Sequence, residues 1–176
     1  MSTLGTLERV VERLRAAGIP HMLAGSFAST YHGTPRTTQD IDLVIDPTPD
    51  GLERFVASLS PDEFYVSTQF NVIDVLTGWK VDLIVRRDRP FSAEEFRRRR
   101  PAHLPDTAVD VASAEDTIIA KLEWAHLGES EPQLRDVAGI IAVQADSLDR
   151  EYILRWVREL DLVELWRRAL ALAGAA

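Results

Sequence analysis

Leu23-Ala24-Gly25-Ser26, followed after thirteen residues by Asp40-Ile41-Asp42-Leu43-Val44-Ile45, is the stretch on which the reading of this chain turns. Its second half alternates strictly. Ile41, Leu43 and Ile45 fall on one face and Asp40, Asp42 and Val44 on the other, the two-residue period of a strand. Carboxylates at i and i+2 of a strand share a face, with Cβ atoms roughly 6 to 7 Å apart. That spacing suits hard divalent ions, which take oxygen ligands and, in two-ion sites, need carboxylates from neighbouring backbone positions. A third carboxylate is expected from an adjacent strand. Lys80-Val81-Asp82-Leu83-Ile84-Val85 offers Asp82, with Val81, Leu83 and Val85 facing inward, while Asp74 in the partner strand competes for the role. In the first half, residues 21–24 read as a short strand, Gly25-Ser26 as a turn, and residues 27–32 as a helix ending at Gly33. A helix start favours an anion, glycine lets it approach the backbone, and the serine hydroxyl adds a donor. The order is that of a metal-bound polyphosphate site: cradle, metal carboxylates, third carboxylate.

The surrounding pattern is mixed. Leu7, Val10, Val11 and Leu14 recur at helical spacing until Gly18 and Pro20, and a second helix over 49–59 carries Leu52, Phe55, Val56 and Leu59. Strands are expected over 64–67, 70–76 and 80–85, the last two joined in a hairpin at Thr77-Gly78. A short helix over 92–100 ends in four arginines before Pro101, and residues 108–112 read as one more strand. Ser113 with Asp116 forms a capping-box pattern before Ile118, Ile119, Leu122 and Ala125, a helix that ends at Gly128. Two further helical segments follow, one with Leu134, Val137, Ile140 and Ile141, the other running from Tyr152 to Ala171. The expected class is α/β of the α+β kind. A mixed central sheet flanked by helices occupies 1–112, and a helical region, 113–176, packs on that core with no flexible linker between them.

Composition narrows the function. With 176 residues, 45% hydrophobic and 27% charged, the chain can bury a real core, which excludes disorder as its main state. A formal charge of -8 excludes a molecule that binds nucleic acid through its whole surface. Any such contact is local, and the stretch Arg86 to Arg100, with seven arginines and three acids, is the candidate patch. The absence of cysteine excludes disulfides, thiolate nucleophiles, iron–sulfur clusters and Cys-ligated zinc. The first ten residues carry no basic stretch leading into an apolar core, and no apolar run approaches a membrane span, so a cytoplasmic chain with no membrane partner is expected. No Walker loop, serine elbow or dinucleotide fingerprint is present.

The Leu-Ala-Gly-Ser segment, the spacer and Asp40-Ile41-Asp42-Leu43 together resemble the signature of the DNA polymerase β-type nucleotidyltransferase superfamily. Downstream, Ser113-Ala-Glu-Asp-Thr-Ile-Ile-Ala-Lys121-Leu and Arg135-Asp136-Val137 resemble the Lys and Asp elements of the AbiEii/MenT-like nucleotidyltransferase toxins of toxin–antitoxin and abortive-infection systems. The resemblance spans residues 20 to 145. It implies the nucleotidyltransferase fold for 1–112 and an enzyme that moves a nucleoside monophosphate from a nucleoside triphosphate to a hydroxyl, releasing pyrophosphate, with Mg2+ or Mn2+. Under it Asp40, Asp42 and Asp82 hold the metal and act in catalysis, with Asp82 a candidate base. Gly25 and Ser26 bind the triphosphate, Lys121 contacts it or the leaving pyrophosphate, and Asp136 is a further functional acid. The implied acceptor is a tRNA 3′ end or a protein, and the implied partner a cognate antitoxin.

Several residues carry two readings. Arg36, Thr37 and Thr38 sit in the loop before the acidic strand, able to reach nucleotide or simply to be solvated. Lys121 lies beside its helix's apolar stripe, as a snorkelling lysine also would. Asp136 suits a helix start through the dipole alone. The four histidines have no metal-ligand spacing, and Trp124, Trp156 and Trp166 read as packing residues. Aminoglycoside nucleotidyl transfer needs the same acids plus an acidic pocket for a polycation, which the net charge allows. A nucleotide-binding antitoxin or sensor without catalysis is the third class.

Overall fold

The computed structural model describes residues 3–38, 40–66, 71–105, 107–128 and 130–174. It divides into two compact units, residues 1–24 with 38–111 and residues 25–37 with 112–176.

The first unit is built on a seven-stranded mixed sheet in the order β3-β4-β5-β2-β1-β7-β6. The strands are β1 (His21–Leu23), β2 (Asp40–Ile45), β3 (Phe64–Val66), β4 (Asn71–Asp74), β5 (Lys80–Val85), β6 (Arg100–His103) and β7 (Ala108–Val111). β2 lies antiparallel to β1 and parallel to β5, and β5 is antiparallel to β4. The expected strand ends at Ser67 and Phe70 lie outside the described residues. The alternation of β2 holds: Ile41, Leu43 and Ile45 are fully buried and the other face is half-exposed. On β5, Val81 and Leu83 are buried as expected, but Val85 is 48% exposed, because the strand's inner pattern ends there.

Three helices serve this unit: α1 (Thr3–Ala16), α3 (Pro49–Ser58) and α4 (Pro90–Arg97). Leu7, Val10, Val11 and Leu14 of α1 are fully buried, so its apolar stripe contributes in proportion to the area taken from water. Polar ties fix α1 across the sheet. Thr6 and Arg9 bind the Asp74 carboxylate on β4, and Arg15 donates to the Ala108 carbonyl on β7. Asp74 is wholly buried and accepts a further bond of 3.0 Å from the Leu76 backbone N–H at the hairpin turn. Burial alone would raise its pKa. The hydrogen bonds from Thr6, Thr77 and the Leu76 N–H, with the charge of Arg9, outweigh that and hold the carboxyl below its ordinary range.

β6 has no counterpart in the sequence expectation, which ran a helix through Arg100. Helix α4 stops at Arg97, and Arg100-Pro-Ala-His pairs antiparallel with β7 at the sheet edge. Pro101, with no N–H to give, is tolerable there because an edge strand needs only one ladder.

The second unit is helical: α2 (Gly25–His32), α5 (Ala114–Gly128), α6 (Glu131–Gln144), α7 (Arg150–Glu159) and α8 (Val163–Leu172). Ser113 caps α5, its Oγ accepting from the Asp116 N–H at 3.1 Å and donating to the Asp116 carboxylate at 2.6 Å. The Tyr152 hydroxyl also donates to that buried carboxylate. Gly33 permits a close approach of α2 and α6, since a Cβ there would stand 2.8 Å from the Ile140 nitrogen. The single C-terminal helix expected through Ala171 is two helices, broken at Asp161, which takes φ of 57°. Trp156 and Trp166 pack inside, but Trp124 is 54% exposed, because it lies off the buried stripe of Ile118, Leu122 and Ala125.

Asp74→Asn is expected to destabilise the protein by about 2–3 kcal/mol at neutral pH, read by urea denaturation. A carboxyl with a lowered folded pKa stabilises above its unfolded value and loses that contribution as pH falls through the folded one. The gap between wild type and variant should therefore shrink on acidification below about pH 4.

Candidate functional site

The first unit brings the predicted carboxylates into one row. In the parallel pairing of β2 with β5, Asp42 stands directly opposite Asp82 and Asp40 opposite Lys80. All four belong to the half-exposed face, since Ile41, Leu43, Val81 and Leu83 occupy the buried one. Strands in register lie about 4.8 Å apart, so like charges placed opposite one another repel unless something compensates. Lys80 compensates. Its Nζ stands 2.9 Å from Asp82 Oδ2 and 3.3 Å from Asp40 Oδ1. The hydrogen bond to Asp82, more than the burial that opposes it, and then that to Asp40 raise the lysine's pKa above its ordinary value.

The row extends to β4. Asn71 is the antiparallel partner of Asp82, and Asn71 and Ile73 share the Asp82 face, whereas Val72 and Asp74 share the buried one. Asp74, the competitor for third carboxylate, is therefore on the wrong side of the sheet and is bound to Thr6 and Arg9. The Thr38 hydroxyl donates to the Asp40 carbonyl at 3.2 Å and so braces the start of β2.

The donor set fits a hard divalent ion: carboxylate oxygens on adjacent strands, facing one way, with an ammonium group between two of them marking where positive charge is held. Convergence is incomplete. Among the described residues no three Asp, Glu or His side chains close around one point that could take a metal ion.

The remaining predicted residues belong to the second unit. Gly25 opens α2 with φ of 56°, a conformation that glycine adopts freely and that turns the chain into the helix. The Ser26 hydroxyl accepts from Arg36 at 2.6 Å, and the Arg36 Nε donates to Asp136 at 2.8 Å. On the other Asp136 oxygen, Lys121 makes an ion pair of 2.7 Å and the Ser29 hydroxyl donates at 3.4 Å. Lys121 also donates to Gln133 Oε1 at 2.9 Å. One carboxylate thus holds two cations. The Lys121 and Asp136 side chains are 4% and 7% exposed, so this pair is buried, while Arg36 forms its outer end.

Lys80, Asn71, Gln133 and Ser29 were not singled out from sequence. Each carries a positional signal: Lys80 is two residues before Asp82, Gln133 three before Asp136, Ser29 three after Ser26, and Asn71 requires the hairpin register. Of the seven arginines in the patch, Arg86 forms an ion pair with Asp46, Arg97 with Glu94 and Arg99 with Asp110. His21 and His32 each bond a backbone carbonyl through one ring nitrogen, and burial lowers both pKa values.

No family model and no curated protein sequence matches the chain. Its fold does recur among solved structures. An antigenic nucleotidyltransferase-like protein from Paracoccidioides brasiliensis is 18% identical, covering 89% of this chain and 88% of that one at a TM-score of 0.58. The antibiotic-resistance factor ANT(2'')-Ia is 13% identical over 93% of this chain and 98% of that one, with a TM-score of 0.55. JHP933 from Helicobacter pylori is 16% identical over 99% and 91%, with a TM-score of 0.50. The likeness is one of fold: a mixed α/β, nucleotidyltransferase-like architecture.

Asp136→Ala leaves a buried ammonium without its carboxylate and is expected to cost about 3–5 kcal/mol of stability. Adding Lys121→Met should recover at least about 1 kcal/mol of that loss in denaturant melts. Strict additivity would show that the pair does not govern the stability of this unit.

Proposed function

We propose that the chain is a nucleotidyltransferase that takes a nucleoside triphosphate and transfers its nucleoside monophosphate to a hydroxyl. The observation that carries this reading is the placement of Asp42 opposite Asp82 with Asp40 on the same face. In-register like charges are unfavourable in a sheet, and a divalent ion gives them a use.

Asp40, Asp42 and Asp82 are the proposed ligands of Mg2+ or Mn2+. When bound, such ions neutralise charge on the triphosphate and on the attacking and leaving oxygens. The chain's own residues position and move protons. The acceptor oxygen forms a bond to the α-phosphorus as the bond from that phosphorus to the bridging oxygen breaks. Pyrophosphate leaves with the electron pair, and the acceptor's proton passes to a carboxylate, for which Asp82 is the proposed base. Gly25 and Ser26, at the start of α2, are the proposed triphosphate contacts, where backbone N–H groups favour an anion. Arg36 reaches Ser26 and is the proposed outer cation of that contact. Lys121 adds its charge to the same polyphosphate or to the departing pyrophosphate, held by Asp136.

The biological role proposed is that of an AbiEii-like toxin, acting on a tRNA 3′ end or a protein and restrained by a cognate antitoxin. Its support is the pairing of Lys121 with Asp136, the two downstream elements on which that resemblance rests. Aminoglycoside nucleotidyl transfer is the second reading. It is favoured by the fold likeness to the resistance factor and by an acid row that already accommodates one ammonium group.

Incubation with the four labelled triphosphates and Mg2+, with total tRNA, protein or aminoglycosides as acceptors, separates the two. Asp42→Ala should lower transfer on the order of 10^3-fold with an unchanged circular dichroism spectrum. Normal turnover in that variant would remove the reading.

A further inference from the structure

In the acid row, the positive charge is supplied by the chain itself. Lys80 sits opposite Asp40 in the β2–β5 register and two residues before Asp82 on the same strand face, so a single ammonium spans both carboxylates. Asp40, Asp42, Asp82 and Lys80 together carry a formal charge of -2, the complement of one divalent ion.

The choice of residue bears on how firmly that charge is held. Of the twenty basic side chains in the chain, only Lys80 and Lys121 are lysines. Lys121 is buried in its pair with Asp136, and so is not free to exchange. Lys80 is different: its side chain is 35% exposed, and its partners Asp40 and Asp82 are 50% and 23% exposed. An ammonium on a flexible four-carbon stem makes single-point contacts, whereas a guanidinium would clamp a carboxylate through a two-point fork. Part-exposed pairs of this kind are weak, and the stem can carry the charge into water at small cost. A divalent ion taking two or three carboxylates at once outcompetes it.

We propose that Lys80 is the displaceable counter-ion of this site. It holds Asp40 and Asp82 together against their repulsion before the metal arrives, and it is released when a divalent cation takes its place. The inference rests on the metal-binding role proposed above for the three aspartates. One consequence is a handicap on binding the bare ion, because the row must first give up two ion pairs.

The test is Mn2+ binding to the full-length, nucleotide-free protein, followed by the paramagnetic signal of free Mn2+. Lys80→Met removes the competitor while keeping the stem, and Mn2+ affinity should rise roughly three- to tenfold, the worth of two part-exposed ion pairs. Lys80→Arg should bind Mn2+ more weakly than wild type, because the fork clamps the carboxylates. In the unaltered protein, magnetic resonance of the two lysine side chains during Mg2+ titration should move the Lys80 signal and leave that of Lys121 in place. That measurement stands even if a variant fails to fold. Equal Mn2+ affinity in wild type and Lys80→Met, with binding lost in Asp42→Asn, would overturn the counter-ion role alone. So would a Lys80 signal unmoved at saturating Mg2+. Failure of wild type and Lys80→Met alike to bind Mn2+ would overturn the metal-binding reading and this inference with it.

Discussion

Two carboxylates set face to face across a parallel strand pair are the constraint around which the first unit is organised. Asp42 and Asp82 are exact register partners, about one strand spacing apart, on a sheet whose opposite face is a packed apolar core. A one-residue slip of β2 would bury Asp40 and Asp42 and expose Ile41, and a slip of β5 would bury Asp82 and expose Leu83, so the hydrophobic pattern that builds the core also dictates the acid row. Fold and site are specified by the same alternation. Lys80 offsets the charge of Asp82 and of Asp40, and the opposition of Asp42 and Asp82 is the physical reason for expecting a cation at that place.

The second unit handles charge differently. Asp136 is buried and holds Lys121 and Arg36 on its two oxygens, with Ser29, Gln133 and Ser26 completing the donors and acceptors around them. Ion pairs out of water are strong only where such hydrogen bonds satisfy the remaining valences. The network is buried at its Lys121 end and more exposed at Arg36. In the acid row the ammonium is part-exposed, whereas in this network Lys121 is buried against its carboxylate.

Much of this was legible in the chain. Strict alternation revealed β2 and β5 and the face of each aspartate, and Ser113 with Asp116 revealed the start of α5. What stayed hidden depended on non-local pairing. β6 contains a proline and looks like a helix end until its edge position is known. The break at Asp161 needs a left-handed backbone that aspartate adopts only occasionally, with apolar spacing continuing on both sides. The exclusion of Asp74 required knowing that α1 crosses the buried side of β4, and the place of Asn71 required the register of the β4–β5 hairpin. The role of Asp136 as holder of two cations could not be read from Arg135-Asp136, because Arg36 is a hundred residues away in sequence.

The central claim is that the acid row serves attack on the α-phosphorus of a nucleoside triphosphate. Parallel reactions with α-labelled and γ-labelled triphosphate test it most directly. The account predicts that the α label becomes covalently attached to the acceptor while the γ label is released in pyrophosphate. Attachment of the γ label to the acceptor, or release of inorganic phosphate with no α transfer, would contradict it.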